Sequence, residues 1–159
     1  INAGNAGGAA ISLDKLDELI DAVRGDGKVL LMNRSMRRAI NKAMRSAGQA
    51  VETVQDGFGR QLLSYGSVPI AEIDEDATGA AILPFTEDDG SGNTDTTSIY
   101  CASFGAGYLF GVQTSPMSVR DLGEVHDRPA LRTRAEWYSA PVFAHPKCAA
   151  RLRWINQPA

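Results

Sequence analysis

Met117-Ser118-Val119-Arg120-Asp121-Leu122-Gly123-Glu124, then His126-Asp127-Arg128-Pro129, then Arg132-Thr133-Arg134-Ala135-Glu136-Trp137-Tyr138 reads as strand, turn and strand. The spacing predicts that residues 119–125 pair with a long strand over 130–143. Along that second strand Leu131, Thr133, Ala135 and Trp137 share one face, and Arg132, Arg134, Glu136 and Tyr138 share the other. Neither face is simply polar, so the strand is expected to meet another subunit on one side. Downstream, Ala144-His145-Pro146-Lys147-Cys148-Ala149-Ala150-Arg151-Leu152 carries a proline that can start a short final helix or strand.

Working outward, the 159 residues suit one domain with a real core. Hydrophobic residues make up 43% and charged residues 22%, an ordinary globular balance. A net charge of −3 leaves no footprint of a nucleic-acid binder. No apolar run approaches the roughly 18 residues of a membrane span, so no membrane partner is expected. Ile1-Asn2-Ala3-Gly4-Asn5-Ala6-Gly7-Gly8 is small and polar, without the basic start of a signal peptide or an initiator Met. The chain is therefore expected to be a processed product or a piece of a longer one. Cys101 and Cys148 lack metal-type spacing and sit in apolar contexts, which predicts two buried free thiols.

Residues 1–11 are expected to be a flexible lead-in. Leu13, Leu16, Ile20 and Val23, with Leu19 beside them, predict a helix over 13–23 capped by Ser12. A short apolar strand follows over 28–32. Asn33 then caps a second helix over 34–47, with Met36, Ile40 and Met44 facing the core and Arg34, Arg37, Arg38, Lys42 and Arg45 outside. The rest is mostly β, with a turn over 56–60, strands over 61–65 and 68–73, and a loop over 74–79. Pro69 marks a strand start or an edge. Residues 86–96 read as a polar, mobile excursion, and 98–104 with 108–113 as a hairpin across Gly105-Ala106-Gly107. Two early helices followed by many strands give an α+β class: helices packed on a mixed sheet, plus a long β-hairpin.

No chemistry-bearing constellation emerges. Glu72, Asp74, Glu75 and Asp76 suggest a cation site, but counting an EF-hand from Asp74 puts Phe85 where a glutamate belongs. Cys148 and His145 flank a proline with no orienting residue or oxyanion donors. His126 beside Asp127 reads as a turn. The glycines precede no Lys-Ser/Thr pair. The basic face of the second helix reads as a solvated face making ion pairs; a neighbouring subunit's acidic 74–76 loop is another expected partner. No enzyme, metal or cofactor is expected.

The opening stretch is similar to the end of a tailed-phage major capsid protein of the Hong Kong 97 type. Leu13-Asp14-Lys15-Leu16-Asp17-Glu18-Leu19-Ile20-Asp21-Ala22-Val23 resembles the helix after that family's spine helix, and Leu31-Met32-Asn33-Arg34-Ser35-Met36-Arg37-Arg38 the next strand–helix unit. Tyr65-Gly66-Ser67-Val68-Pro69-Ile70 resembles its "G-x-P-V/I" strand. Ser98-Ile99-Tyr100 through Gly111-Val112-Gln113 resembles its following hairpin, with Gln113-Thr114-Ser115 where the family has "L-Q-N-G". The motifs are modest singly but run in family order. The family's N-terminal arm, extended loop and spine helix have no counterpart here.

The resemblance implies a structural protein: a major capsid subunit, or a fragment of one, that assembles into pentamers and hexamers of an icosahedral head. It would meet packaged DNA only non-specifically, and would reside in the virion after assembly in the host cytoplasm. Residues 12–116 would be axial-domain-like, 117–144 peripheral strands, and 145–159 a return to the axial domain. Asp74, Glu75, Asp76, Asp88, Asp89, His126, Asp127, Arg128, Arg132, Arg134 and Glu136 are the expected assembly contacts. An encapsulin-type nanocompartment shell shares the fold and is one alternative. A small binding module that uses the acidic loops is the other.

Overall fold

Leucines on one side and acids on the other shape the first helix, α1 (Leu13–Ala22), which buries Leu16 and Leu19. Among the described residues the order is α1, β1 (Lys28–Met32), α2 (Arg34–Ser46), β2 (Glu52–Gln55), β3 (Gln61–Tyr65), β4 (Val68–Glu72), β5 (Glu87–Asp88), β6 (Thr94–Ser103), β7 (Leu109–Gln113), β8 (Ser118–Glu124), β9 (Leu131–Glu136), β10 (Ser139–Phe143) and β11 (Ala149–Asn156). The computed structural model describes residues 1–48, 52–55, 57, 59 and 61–158. The turn expected over 56–60 lies largely outside the described residues.

Among the described residues the main sheet runs β11-β6-β1-β4-β3-β2, with β5 added to β6. It is mixed: β1 is parallel to β4 and antiparallel to β6. Alternation places Leu30 and Met32 of β1, Ile70 of β4, Ile99 and Cys101 of β6 and Leu152 of β11 in one buried cluster with Leu16, Leu19 and Val23 of α1 and Met36, Ile40 and Met44 of α2. The two helices therefore lie side by side on one face, α1 over β11 and β6, α2 over β4. This is the expected pair of helices on a mixed sheet.

Asn33 caps α2 as expected, its Oδ1 accepting from Met36 N at 2.8 Å. Its amide donates to the Leu83 carbonyl at 3.0 Å, which ties the helix start to the segment beyond β4. Ser12 occupies the N-cap of α1, but its hydroxyl makes no capping bond. Pro69 is the second residue of an internal strand, so it marks the strand start and not an edge.

Four expectations need correction. The predicted 98–104/108–113 hairpin does not form: β6 is a central strand paired with β1, β5 and β11, and β7 pairs with β10. Only the Phe104–Leu109 bridge spans the glycines. Burying β6 on both edges satisfies more of its backbone than a local hairpin would. The predicted 130–143 strand breaks at Trp137–Tyr138 into β9, paired with β8, and β10, paired with β7. The residues 86–96 are held, not loose: Glu87 and Asp88 pair with Thr96 and Thr94. Residues 1–9, expected as part of a flexible lead-in, lie along β11 through bonds such as Ala3 N to Arg153 O at 2.9 Å and Asn156 N to Ala9 O at 2.9 Å.

The result is a helix-covered sheet with one long arm. The arm leaves along β7, continues through β8, turns at 125–130, and returns along β9 and β10 to β11.

Candidate assembly surfaces

The arm is a ribbon only two strands wide. Such a ribbon has no second layer to bury its apolar side chains. Most of the molecule's exposed large hydrophobic residues lie on it, including Met117, Val119, Leu131 at 71% exposure and Trp137 at 59%. The face Leu131-Thr133-Ala135 meets solvent, as does Arg132-Arg134. Where the ribbon breaks, the Trp137 indole N–H donates to Gln113 Oε1 at 3.0 Å. An open groove of about 510 Å3 lies there, lined by residues that include Val112, Thr114 and Tyr138.

The charged contacts expected from the sequence fall on three separate elements. Asp74 pairs with Arg34 of its own chain, and Glu72, not among the expected contacts, takes Arg37 Nε at 2.9 Å. Part of the basic helix face is therefore neutralised internally. Glu75 is exposed and bridges Ala81 through its backbone. Asp76 turns inward on its loop: Oδ1 accepts from the Thr78 hydroxyl at 2.6 Å, Thr78 N at 2.8 Å and Ala80 N at 3.0 Å. The Thr78 hydroxyl bond above all holds its pKa below the ordinary carboxylate value.

Asp88 accepts from Gly90 N at 2.6 Å. Asp89 is 1% exposed and accepts from Ser91 N at 2.7 Å, the Ser91 hydroxyl at 2.8 Å, Asn93 N at 3.2 Å and Asn93 Nδ2 at 3.1 Å. These bonds, led by Ser91 N, pull its pKa down to about 2. Its carboxylate serves its own loop. Gly90 seats the loop against the Trp154 ring, where an added Cβ would come within 2.7 Å.

His126, Asp127 and Arg128 form the exposed tip of the arm, closed by Val125 N to Ala130 O at 2.9 Å. Arg132 is exposed, and Arg134 pairs with Glu136. Register places Arg120 opposite Arg134, two like charges across the ribbon. The structure thus gathers the eleven expected contacts into a loop after β4, the β5–β6 loop and the β8–β9 arm. Sequence reasoning missed the link between Glu87, Ser98 and Arg151, in which Arg151 Nη2 meets Glu87 at 2.7 Å and Arg151 Nε donates to Ser98 Oγ at 2.8 Å. The alternation of β11 could have shown Arg151 facing outward, but its partner lies 64 residues away.

Cys101 and Cys148 are buried free thiols, as expected, and burial pushes the Cys101 thiol up to about 11. His145 Nδ1 accepts from Lys147 N at 3.0 Å and shapes the turn before β11. Among the described residues no three His, Cys, Asp or Glu side chains gather as a metal site. No described helix is long and apolar enough to cross a membrane.

No protein-family model and no curated protein sequence matches the chain. A solved structure does: a chain of the holo-SrpI encapsulin complex from Synechococcus elongatus, at a TM-score of 0.71 and 19% identity. The match covers 100% of this chain and 54% of that one, so this chain spans about half the encapsulin's length. The fold is therefore encapsulin-like, of the Hong Kong 97 type.

Proposed function

We propose that this chain is a structural, non-enzymatic shell subunit, part of a major capsid protein that self-assembles into the icosahedral head of a tailed phage or prophage. The observation that carries the reading is the arm, a two-stranded ribbon whose large apolar residues have no cover within one chain. Repeated around a symmetry axis, such contacts are weak singly and strong together. The helix-covered sheet would then be the axial part, the arm the peripheral part, and pentamers and hexamers the rings that form. Packaged DNA would be met without base-specific contacts, and the subunit would pass from host cytoplasm to virion.

The encapsulin-like fold supports a second reading, a bacterial nanocompartment shell. Both are tested by electron microscopy and mass photometry of this chain and of its full gene product. Rings or closed shells from the full product are expected. A compact monomer under all conditions would overturn both. Nucleic acid inside the particles favours the head, and a co-purifying protein cargo favours the nanocompartment.

A further inference from the structure

The helix layer carries two charge ladders of opposite sign and equal pitch. On α1, Asp14, Glu18 and Asp21 stand at i, i+4 and i+7, all exposed and opposite the buried leucines. On α2, Arg38, Lys42 and Arg45 repeat the same spacing, all exposed and opposite Met36, Ile40 and Met44. Each ladder is about 10 Å long. The other basic residues of α2, Arg34 and Arg37, are already paired with Glu72 and Asp74.

Neither ladder is neutralised by the other, since no ion pair among the described residues joins α1 to α2. Lys15, bonded to Glu18, is the one basic residue on α1, and α2 has no acidic residue. Like charges three and four apart repel along each helix, offset in part by Lys15 at Glu18 and by the helix dipole at Asp14 and Arg45. A local conflict of this kind is resolved when a partner supplies the opposite sign. A cavity of about 370 Å3, lined by residues that include Ser35, Arg38, Lys42 and Gln157, opens beside the basic ladder with room for an acidic side chain.

We infer that the α1 ladder of one copy docks on the α2 ladder of a second copy. The matched spacing fits a helix of this same chain. A nucleic acid fits less well, because the acidic α1 ladder lies in the same helix layer and the chain carries a net charge of −3. The contact rests on the self-assembly reading and specifies one interface within it.

The test is a charge swap followed by mass photometry. The variant Arg38→Glu/Lys42→Glu/Arg45→Glu has two acidic ladders, and Asp14→Lys/Glu18→Lys/Asp21→Lys has two basic ones. Each alone should lose association at least tenfold. Their equimolar mixture and the sixfold swap in one chain should both regain it. Circular dichroism checks the fold; if the lysine variant is unfolded, Asp14→Asn/Glu18→Gln/Asp21→Asn replaces it and should also weaken association. Zero-length carbodiimide coupling of mixed light and heavy-isotope wild-type copies should join Lys42 to Glu18 or Asp21 between copies.

Wild-type assembly that is indifferent to all the variants overturns this contact and leaves the shell reading standing. Failure of both mixture and swap to recover, with every variant folded, also overturns it, as does coupling of Lys42 only within one copy. Association with random duplex DNA that requires the α2 ladder and ignores α1 overturns it in favour of a polyanion partner. A wild-type full product that never assembles overturns the shell reading and the contact with it.

Discussion

Asp89 shows how much one residue can organise. Its carboxylate takes bonds from Ser91 and Asn93, and these favour the charged form. Because its pKa lies at about 2, below the ordinary 3.8, the stabilisation is complete above about pH 4 and drains away as pH falls toward 2. Urea midpoints measured across that window should fall in the wild type. In Asp89→Ala the midpoint should be lower at neutral pH and this part of the slope should vanish. Tyr65 works at the other limb. Burial, aided by a bond with Asp17, raises its hydroxyl to about 12 from 10.0. Its contribution is whole below about pH 10 and is lost as pH rises through 12, so Tyr65→Phe should flatten that limb. Gly66 and Ser67, both at positive φ, make the two-residue β3–β4 turn, and a serine is strained there. Ser67→Gly should raise stability by about 0.5 kcal/mol, read as a higher Tm.

At the scale of elements, Asn33 joins three of them. It caps α2, donates to the Leu83 carbonyl, and reaches Thr97 Oγ1 of β6 at 3.4 Å. Asn33→Ala removes the cap and leaves the Leu83 carbonyl short of a donor, so it should cost about 2 kcal/mol in a urea titration. This cap, both helices and the strands β1 and β3 were legible in the sequence because each is written in local spacing. The pairing of β6 was not. A glycine turn between two apolar runs has the signature of a hairpin, yet β1 and β11 compete for the same edges from distant sequence positions. Nor was β2 legible, since every one of its residues is exposed and no buried face stamps an alternation on it. For the surfaces, sequence marked where charge clusters but not what it meets. Asp74 finds Arg34 of its own chain, and Asp89 turns into its own loop, because backbone folding brings these partners within bonding distance.

For the whole molecule, the question is whether the arm belongs to the fold or to the assembly. Its β8–β9 part contributes no residue to the buried core cluster, which is built from α1, α2 and the main sheet. Removing apolar groups there should therefore leave the fold's stability nearly unchanged. Val119 and Leu131 are both largely exposed on this ribbon, so Val119→Ser/Leu131→Ser forfeits little burial in one chain. The expected shift is within about 0.5 kcal/mol, as for an ordinary surface change. In a shell the same groups would be buried at every repeat, at about 25 cal/mol for each Å2 removed from water. A deficit of even 1.4 kcal/mol per contact is a tenfold loss in its equilibrium constant, and symmetry multiplies that loss around a ring. Ile40→Ala supplies the opposite pattern: Ile40 is fully buried, so its truncation should cost about 2–5 kcal/mol while leaving the arm's surface intact. Chemical denaturation alongside particle counting by mass photometry separates the two. If the arm variant unfolds as readily as Ile40→Ala, the ribbon is part of the core's cooperative unit. If it stays folded and still forms particles at wild-type yield, the arm's apolar face is not where the subunits meet.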